Sequence, residues 1–378
     1  MPNEDTIVST VLRIEPPLDR PPAEMLRAEP GLSVVLEEGR RARLDPEDPR
    51  SAGFAQILDG LSKQRLPVYL EIDRETRAIT RLLIPHVARV VAIRPFEGAA
   101  LGVELEPSHA VHVLRADAPD RAELERRLLD AARSGAPVAV TETDAHEIID
   151  VREHTPGPEG SFFPPPRRPP PAPPRPELPA RPWARPILER LRHILCWLWW
   201  WLHCPSRRRA QEVFDAMNAT SCPPLTVPAP CIPFVYPDDG CWARAHEMCR
   251  LMSNMGLTPR KVWIQGSLHV ATSNNPTCSV HWGWHVAPTL CVRVPWFFFL
   301  TQRMVIDPSL FTTPVPEATW KGVQGDPKAV LTHSDASDYL WAATDPYYVQ
   351  TNYYLNFYRL QLQNRAIQQG PPPYGYCP

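Results

Sequence analysis

The sequence predicts an α+β protein built from two unlike parts, and three observations carry that reading. Residues 1–152 hold one pattern twice, a helix-periodic run followed by alternating strands. All nine cysteines, at 196, 204, 222, 231, 241, 249, 278, 291 and 377, fall in the second half. Between the two parts lies Pro156–Pro186, where 14 of the 48 prolines occur in 31 residues, a composition suited to extended polyproline II rather than to a packed core.

A chain of 378 residues has room for two or three domains. With 43% hydrophobic and 22% charged residues it reads as globular and soluble. The net charge of -2 conceals an asymmetry: residues 1–150 carry 19 basic and 27 acidic side chains, and the remainder is basic. The basic residues form no long stripe, so attraction between the halves is favoured over binding of nucleic acid.

The repeat is legible residue by residue. An offset of 70 superposes Leu44 on Leu114, Pro49 on Pro119, Phe54 on Leu124, Leu58 on Leu128, Pro67 on Pro137, Val68 on Val138 and Ile79 on Ile149. Upstream, Val35-Leu36-Glu37 resembles Glu104-Leu105-Glu106, which places the copies at about 8–84 and 88–152. In each, a proline opens a helix and two antiparallel strands follow. The module has no cysteine, no glycine-rich loop and no run of histidines, so a binding or regulatory role is expected of it.

The Pro-rich segment 153–186 reads as a spacer; its flanking Arg167, Arg168 and Arg175 make it, as a less favoured reading, a ligand for a proline-binding partner. Residues 187–209 read as an amphipathic helix rich in tryptophan. Its packing onto a neighbouring domain is favoured over contact with a membrane surface. The apolar run Ile194–Leu202 is far shorter than the roughly 20 residues a bilayer span needs. Met1–Thr10 lacks the basic and apolar regions of a Sec-type signal peptide. The expectation is therefore a cytoplasmic protein or one exported by another route.

Chemistry is expected from residue 210 onward. Asp238-Asp239-Gly240-Cys241 opens a helix with the aspartates at its cap, Ala245, Met248, Met252 and Met255 on one face and Gly256 as its stop. A thiol in a first turn faces unsatisfied N–H groups that favour the thiolate. Three strand-like stretches follow, Lys261–Val270, Ser279–Val294 and Trp296–Asp307, with His285 in the second and Asp307 ending the third. Cysteine, imidazole and carboxylate in that order suit acyl transfer through a thioester. By strand period His281 faces the same side as His285, so His269 and His281 stay open as alternative bases. His246 reads as a structural hydrogen-bonding residue, and Trp242 as a lining of the substrate slot. No CxxC pair is present, and neither metal nor cofactor is expected.

Cys222, Cys231-Ile232-Pro233-Phe234, Tyr236-Pro237, Gly240-Cys241-Trp242-Ala243-Arg244-Ala245-His246, Trp284-His285-Val286-Ala287 and Ile306-Asp307-Pro308-Ser309-Leu310-Phe311 resemble the bacterial protein-glutamine glutaminases, over about residues 210–330. The resemblance implies a core similar to transglutaminases and papain, a Cys-bearing helix packed on an antiparallel sheet. It implies hydrolysis of the side-chain amide of protein-bound glutamine to glutamate and ammonia, with Cys241 as nucleophile, His285 as base and then acid, and Asp307 orienting it. It also implies pairing of Cys222 with Cys231, secretion, and activation by removal of an N-terminal segment. Cys278 departs from the family in being followed by Ser279. The partner expected is a protein with an exposed glutamine. A transglutaminase or thiol protease on the same core, or a non-catalytic interaction protein, are the alternatives. Residues 210–378 are expected to fold alone, with few contacts across the spacer.

Overall fold

The computed structural model describes residues 4–28, 31–154, 204–226, 230–294, 300–341 and 343–378. The proline-rich spacer, nearly all of the tryptophan-rich segment, Cys196 and Trp296 lie outside the described residues.

The first repeat comprises β1 (Glu4–Glu15), α1 (Pro22–Arg27), β2 (Ser33–Leu36), β3 (Arg41–Arg43), α2 (Ser51–Gln64), β4 (Pro67–Asp73) and β5 (Ile79–Leu83). The second comprises β6 (His86–Pro95), β7 (Leu101–Glu106), β8 (His112–Leu114), α3 (Arg121–Ser134), β9 (Val138–Glu142) and β10 (Ile148–Glu153). Their five-stranded sheets have equivalent orders, β3-β2-β1-β4-β5 and β8-β7-β6-β9-β10. In each, the long first strand pairs with one neighbour over its N-terminal part and with the other over its C-terminal part, where the register is irregular between Val11 and Arg13 or between Val90 and Ala92. A bulge of this kind bends the sheet around its helix. The helix buries the predicted stripe Phe54, Ile57, Leu58 and Leu61 in one copy; in the other it buries Leu124 and Leu128, but Leu129, expected on the same stripe, is exposed. The helices begin at Ser51 and Arg121, two positions beyond the prolines expected to open them.

The C-terminal part comprises α4 (Arg207–Asn218), α5 (Cys241–Asn254), β11 (Arg260–Ala271), β12 (Ser279–Arg293), β13 (Thr301–Val305), β14 (Val315–Pro316), α6 (Glu317–Gly322), β15 (Val330–Asp335), β16 (Asp338–Leu340), β17 (Ala343–Thr344) and α7 (Val349–Gln369). Its sheet runs β14-β13-β12-β11-β15, antiparallel throughout, with α5 packed on β12. This is the α+β arrangement expected, a cysteine-bearing helix against an antiparallel sheet behind a duplicated α+β region. Disulfides join Cys204 to Cys291, Cys222 to Cys231 and Cys278 to Cys377; among the described residues Cys241 and Cys249 are free. No described helix is long and apolar enough to cross a membrane.

The expectation of few contacts between the parts is overturned. One hydrophobic core runs from Phe54, Leu58 and Leu82 of the first repeat to Phe357, Leu360 and Leu362 of α7. The two helices approach closely because α2 presents Gly53 to Ile367 and Gly60 to Leu360. Polar side chains of α7 complete the seam: Asn364 and Gln368 donate to Leu82 O at 2.9 and 2.8 Å, and Gln361 to Ile84 O at 2.9 Å. The proline-rich composition marks a covalent spacer, and says nothing about whether its flanking parts touch.

Candidate active site

Cys241 is the first residue of α5, and a left-handed Gly240 (φ +81°) turns the chain into it. The preceding aspartates do not cap the helix as expected. Asp239 Oδ1 accepts from the backbone N–H groups of Gly240 (2.9 Å) and His109 (3.1 Å), while its Oδ2 accepts from the Tyr358 hydroxyl at 2.7 Å. Asp238 receives two bonds from the Arg365 guanidinium, both 2.8 Å. They fix the turn to α7 and to the second repeat rather than serving the helix end.

His285 lies on β12 and Asp307 follows β13, adjacent strands of the sheet. His285 Nε2 meets Asp307 Oδ2 at 2.9 Å, and the Trp320 indole N–H donates to the same oxygen at 2.8 Å. All three residues are buried. The Asp307 carboxyl is held below its ordinary value: burial works to raise it, but His285 and the two hydrogen bonds outweigh burial. His285 Nδ1 has no hydrogen-bond partner. Cys241 Sγ and one nitrogen each of His285 and His109 lie within 4.8 Å of one another.

His109 was not foreseen. It sits in the turn between β7 and β8, and its Nδ1 is 2.8 Å from Cys241 Sγ. The same nitrogen is 3.4 Å from Asp239 Oδ1, giving a second Cys-His-Asp grouping around one thiol. Trp242, Trp282 and Trp284 surround the imidazole, with ring centroids 5.1–6.1 Å away. The backbone of this turn meets β12 in a short antiparallel bridge, Ala110 opposite Trp282: Val111 N–H donates to His281 O at 3.1 Å, and Gly283 N–H to His109 O at 2.9 Å. Chemistry in the N-terminal region was invisible in the sequence because His86, His109, His112 and His146 are dispersed along it. Folding gathers three of them around Glu142, with His112 Nδ1 at 2.5 Å, His146 Nδ1 at 2.9 Å and His86 Nε2 at 3.2 Å from its oxygens.

The covered thiol differs from the activated one that a helix start implies. Cys241 is 1% exposed, and burial pushes its pKa well up although the buried Arg244 guanidinium opposes this. His109 is held well below its ordinary value by burial, despite Asp239 beside it. The remaining sequence candidates separate from the thiol. His281 is exposed and stacks on His269 at 4.3 Å, whereas His285 is buried, so the alternation that would put both on one face does not hold along β12. His246 bridges Lys261 Nζ (3.1 Å) and Asp345 O (3.4 Å), and burial lowers its pKa to about 4. Trp242 is fully buried, with its N–H on the Tyr339 hydroxyl at 3.0 Å.

The two imidazoles differ in how their ring nitrogens are engaged. A triad histidine takes the thiol proton on one nitrogen and is oriented through the other. His285 meets that requirement, its Nε2 on Asp307 and its Nδ1 unengaged. His109 turns one nitrogen toward both thiol and carboxylate and leaves Nε2 without a partner.

Residues 210–324 match the model of a glutamine deamidase family described as glutaminase. Among solved structures the chain is similar to a pro-protein-glutaminase crystal structure, at 21% identity over 78% of this chain and 99% of that one, TM-score 0.48. It is similar also to a crystal structure of protein-glutaminase (29% identity, 42% of this chain, 89% of that, TM-score 0.37). A third is the NMR structure of protein-glutaminase from Chryseobacterium proteolyticum (29%, 39% and 84%, TM-score 0.35). No curated protein sequence matches the chain. The matched segment spans the cysteine helix and the histidine and aspartate strands, so the site lies in the part of the chain that is similar to the glutaminases.

Proposed function

We propose that this chain is a protein-glutamine deamidase held latent by its own second repeat. The observation that carries the reading is the seat of His109. An extended backbone lies along β12 and delivers one side chain between tryptophans to the thiol, the way a protein substrate adds a strand to a sheet edge. Histidine Nδ1 stands three bonds from its Cα, and so does the amide carbon of glutamine. A glutamine in place of His109 therefore brings its carboxamide to Cys241, whereas asparagine falls one bond short.

In the uncovered site His285 takes the thiol proton, and the sulfur attacks the amide carbon. First-turn N–H groups of α5, which lack intrahelical acceptors, face the developing oxyanion. The imidazolium gives its proton to the departing ammonia, leaving a thioester. Water, deprotonated by His285, then releases glutamate and the thiol. Asp307 and Trp320 hold the ring throughout.

The short Cys241–His109 contact favours a second reading, in which His109 is the base of a composite site. Ammonia release from a glutamine-containing protein by full-length His109→Ala separates the two. Gain over wild type supports the cover; loss supports the composite triad. A second arm, His109→Gln, is expected to convert its own residue to glutamate, read by mass spectrometry. Addition of a primary amine without crosslinking distinguishes hydrolysis from transamidation.

A further inference from the structure

The covered site contains a donor set that latency alone does not require. Cys241, His109 and His285 are each 1% exposed, and Sγ with one nitrogen of each ring falls within 4.8 Å. Tetrahedral zinc, with bonds of about 2.3 Å to sulfur and 2.0–2.1 Å to nitrogen, separates its donors by roughly 3.3–3.6 Å. Side-chain shifts of under about 1 Å therefore bring the three atoms into position. One thiolate and two neutral imidazoles are ligands this cation prefers. Behind His285 stands Asp307 on Nε2, the carboxylate that customarily fixes the tautomer of a metal-bound imidazole, and Nδ1 is left unpartnered.

We propose that the latent form is a zinc site: Zn2+ bound by Cys241 Sγ, His109 Nδ1 and His285 Nδ1 locks the covering segment onto the nucleophile. The inference rests on the reading of residues 108–111 as a cover. Binding replaces the thiol proton, which leaves to solvent, so each bound cation releases one proton. The locked form has neither a free nucleophile nor a free base. Zinc is thus an inhibitor that requires the cover, and its loss precedes activation. The neighbouring group of His112, Glu142 and His146 also has metal-like spacing but offers no sulfur, and Glu142 already bonds both of its imidazoles, whereas His285 Nδ1 has no partner.

The test is a Co2+ titration of chelator-treated, full-length protein. The expected result is one equivalent of cobalt showing a thiolate-to-cobalt charge-transfer band, displaced by Zn2+ and absent in Cys241→Ser. In His109→Ala the band is lost or the affinity falls at least tenfold. His109→Phe, which keeps a ring without donor nitrogens, repeats the measurement should the alanine variant fold poorly. A cobalt spectrum without the charge-transfer band, or a band unchanged in both His109 variants, overturns the proposal. Activity in chelator keeps the two readings apart. Wild type silent in chelator and without a cobalt band, with His109→Ala active, means that the cover stands and the zinc site falls. Equal activity of the two means that the cover itself falls, and with it the lock.

Discussion

His285 and Trp320 converge on a single oxygen of Asp307, at 2.9 and 2.8 Å. The carboxylate is thereby held in one orientation by a residue from the helix after β14, and the imidazole is oriented in turn. The oriented imidazole–carboxylate pair is therefore built entirely by the C-terminal part of the chain.

Removing parts of that chain of contacts should have graded effects on the uncovered enzyme. Cys241→Ala is expected to abolish ammonia release while leaving the melting temperature close to wild type. Asp307→Asn should lower kcat by on the order of 10⁴, because an amide stabilises the wrong imidazole tautomer. Trp320→Phe removes one hydrogen bond to a charged group, about 1.5–3 kcal/mol, and should slow turnover roughly tenfold or more. Steady-state kinetics on the three variants checks the order.

Gly240→Ala should be severe. Its φ of +81° disfavours any side chain, and an added Cβ would lie 2.3 Å from Cδ2 of the buried Tyr358 ring. The left-handed turn alone costs about 1–2 kcal/mol, and displacing Tyr358 breaks its bond to Asp239. Urea unfolding is expected to show a loss above about 2 kcal/mol, with activity lost as well.

Alkaline pH should loosen the seat of the second repeat. His146 is desolvated, which lowers its pKa, but Glu142, Asp238 and Asp239 outweigh this and raise it to about 9 from an ordinary 6.5. A raised histidine contributes stability that is fully present below pH 6.5 and is lost as pH climbs through 9. The loss amounts to about 3 kcal/mol. His112, His86 and Asp238 face the same group. The denaturation midpoint of full-length protein should fall across pH 6.5–9, and His146→Gln should flatten that slope.

Salt should not unlock the cover. The charge asymmetry of the halves implies an electrostatic clasp, yet the seam is apolar packing plus amide–carbonyl bonds. Ion pairs that cross it, Arg365–Asp144 at 2.5 Å and His146–Asp238 at 3.7 Å, are largely buried, where screening is weak. Ammonia release by the full-length chain is expected to be equally low at 0.05 and 1 M salt, on the order of the range over which the Debye length falls several-fold.

What the sequence revealed and what it hid follow from distance along the chain. Cys241, His285 and Asp307 sit in contiguous motifs, so each was legible where it stands. The repeat was legible because both copies bury the same helical stripe. His109 was not, since its role depends on a turn docking 132 positions away. A trace of it existed: the repeat offset changes from 69 to 70 between Leu36/Leu105 and Leu44/Leu114. One extra residue therefore lies in the turn that reaches the thiol. The aspartates before Cys241 misled because capping is a local rule, and their partners, Tyr358 and Arg365, come from the last helix.

The core shared by α2 and α7 changes what a cut in the spacer does. While the peptide is whole, the cover is tethered, and its occupancy is independent of how much protein is present. A cut leaves the packed seam untouched and makes the cover a separate molecule that dissociates by mass action. Freshly nicked enzyme should therefore stay silent in a concentrated sample and become active on dilution, or at once when the released repeats are digested.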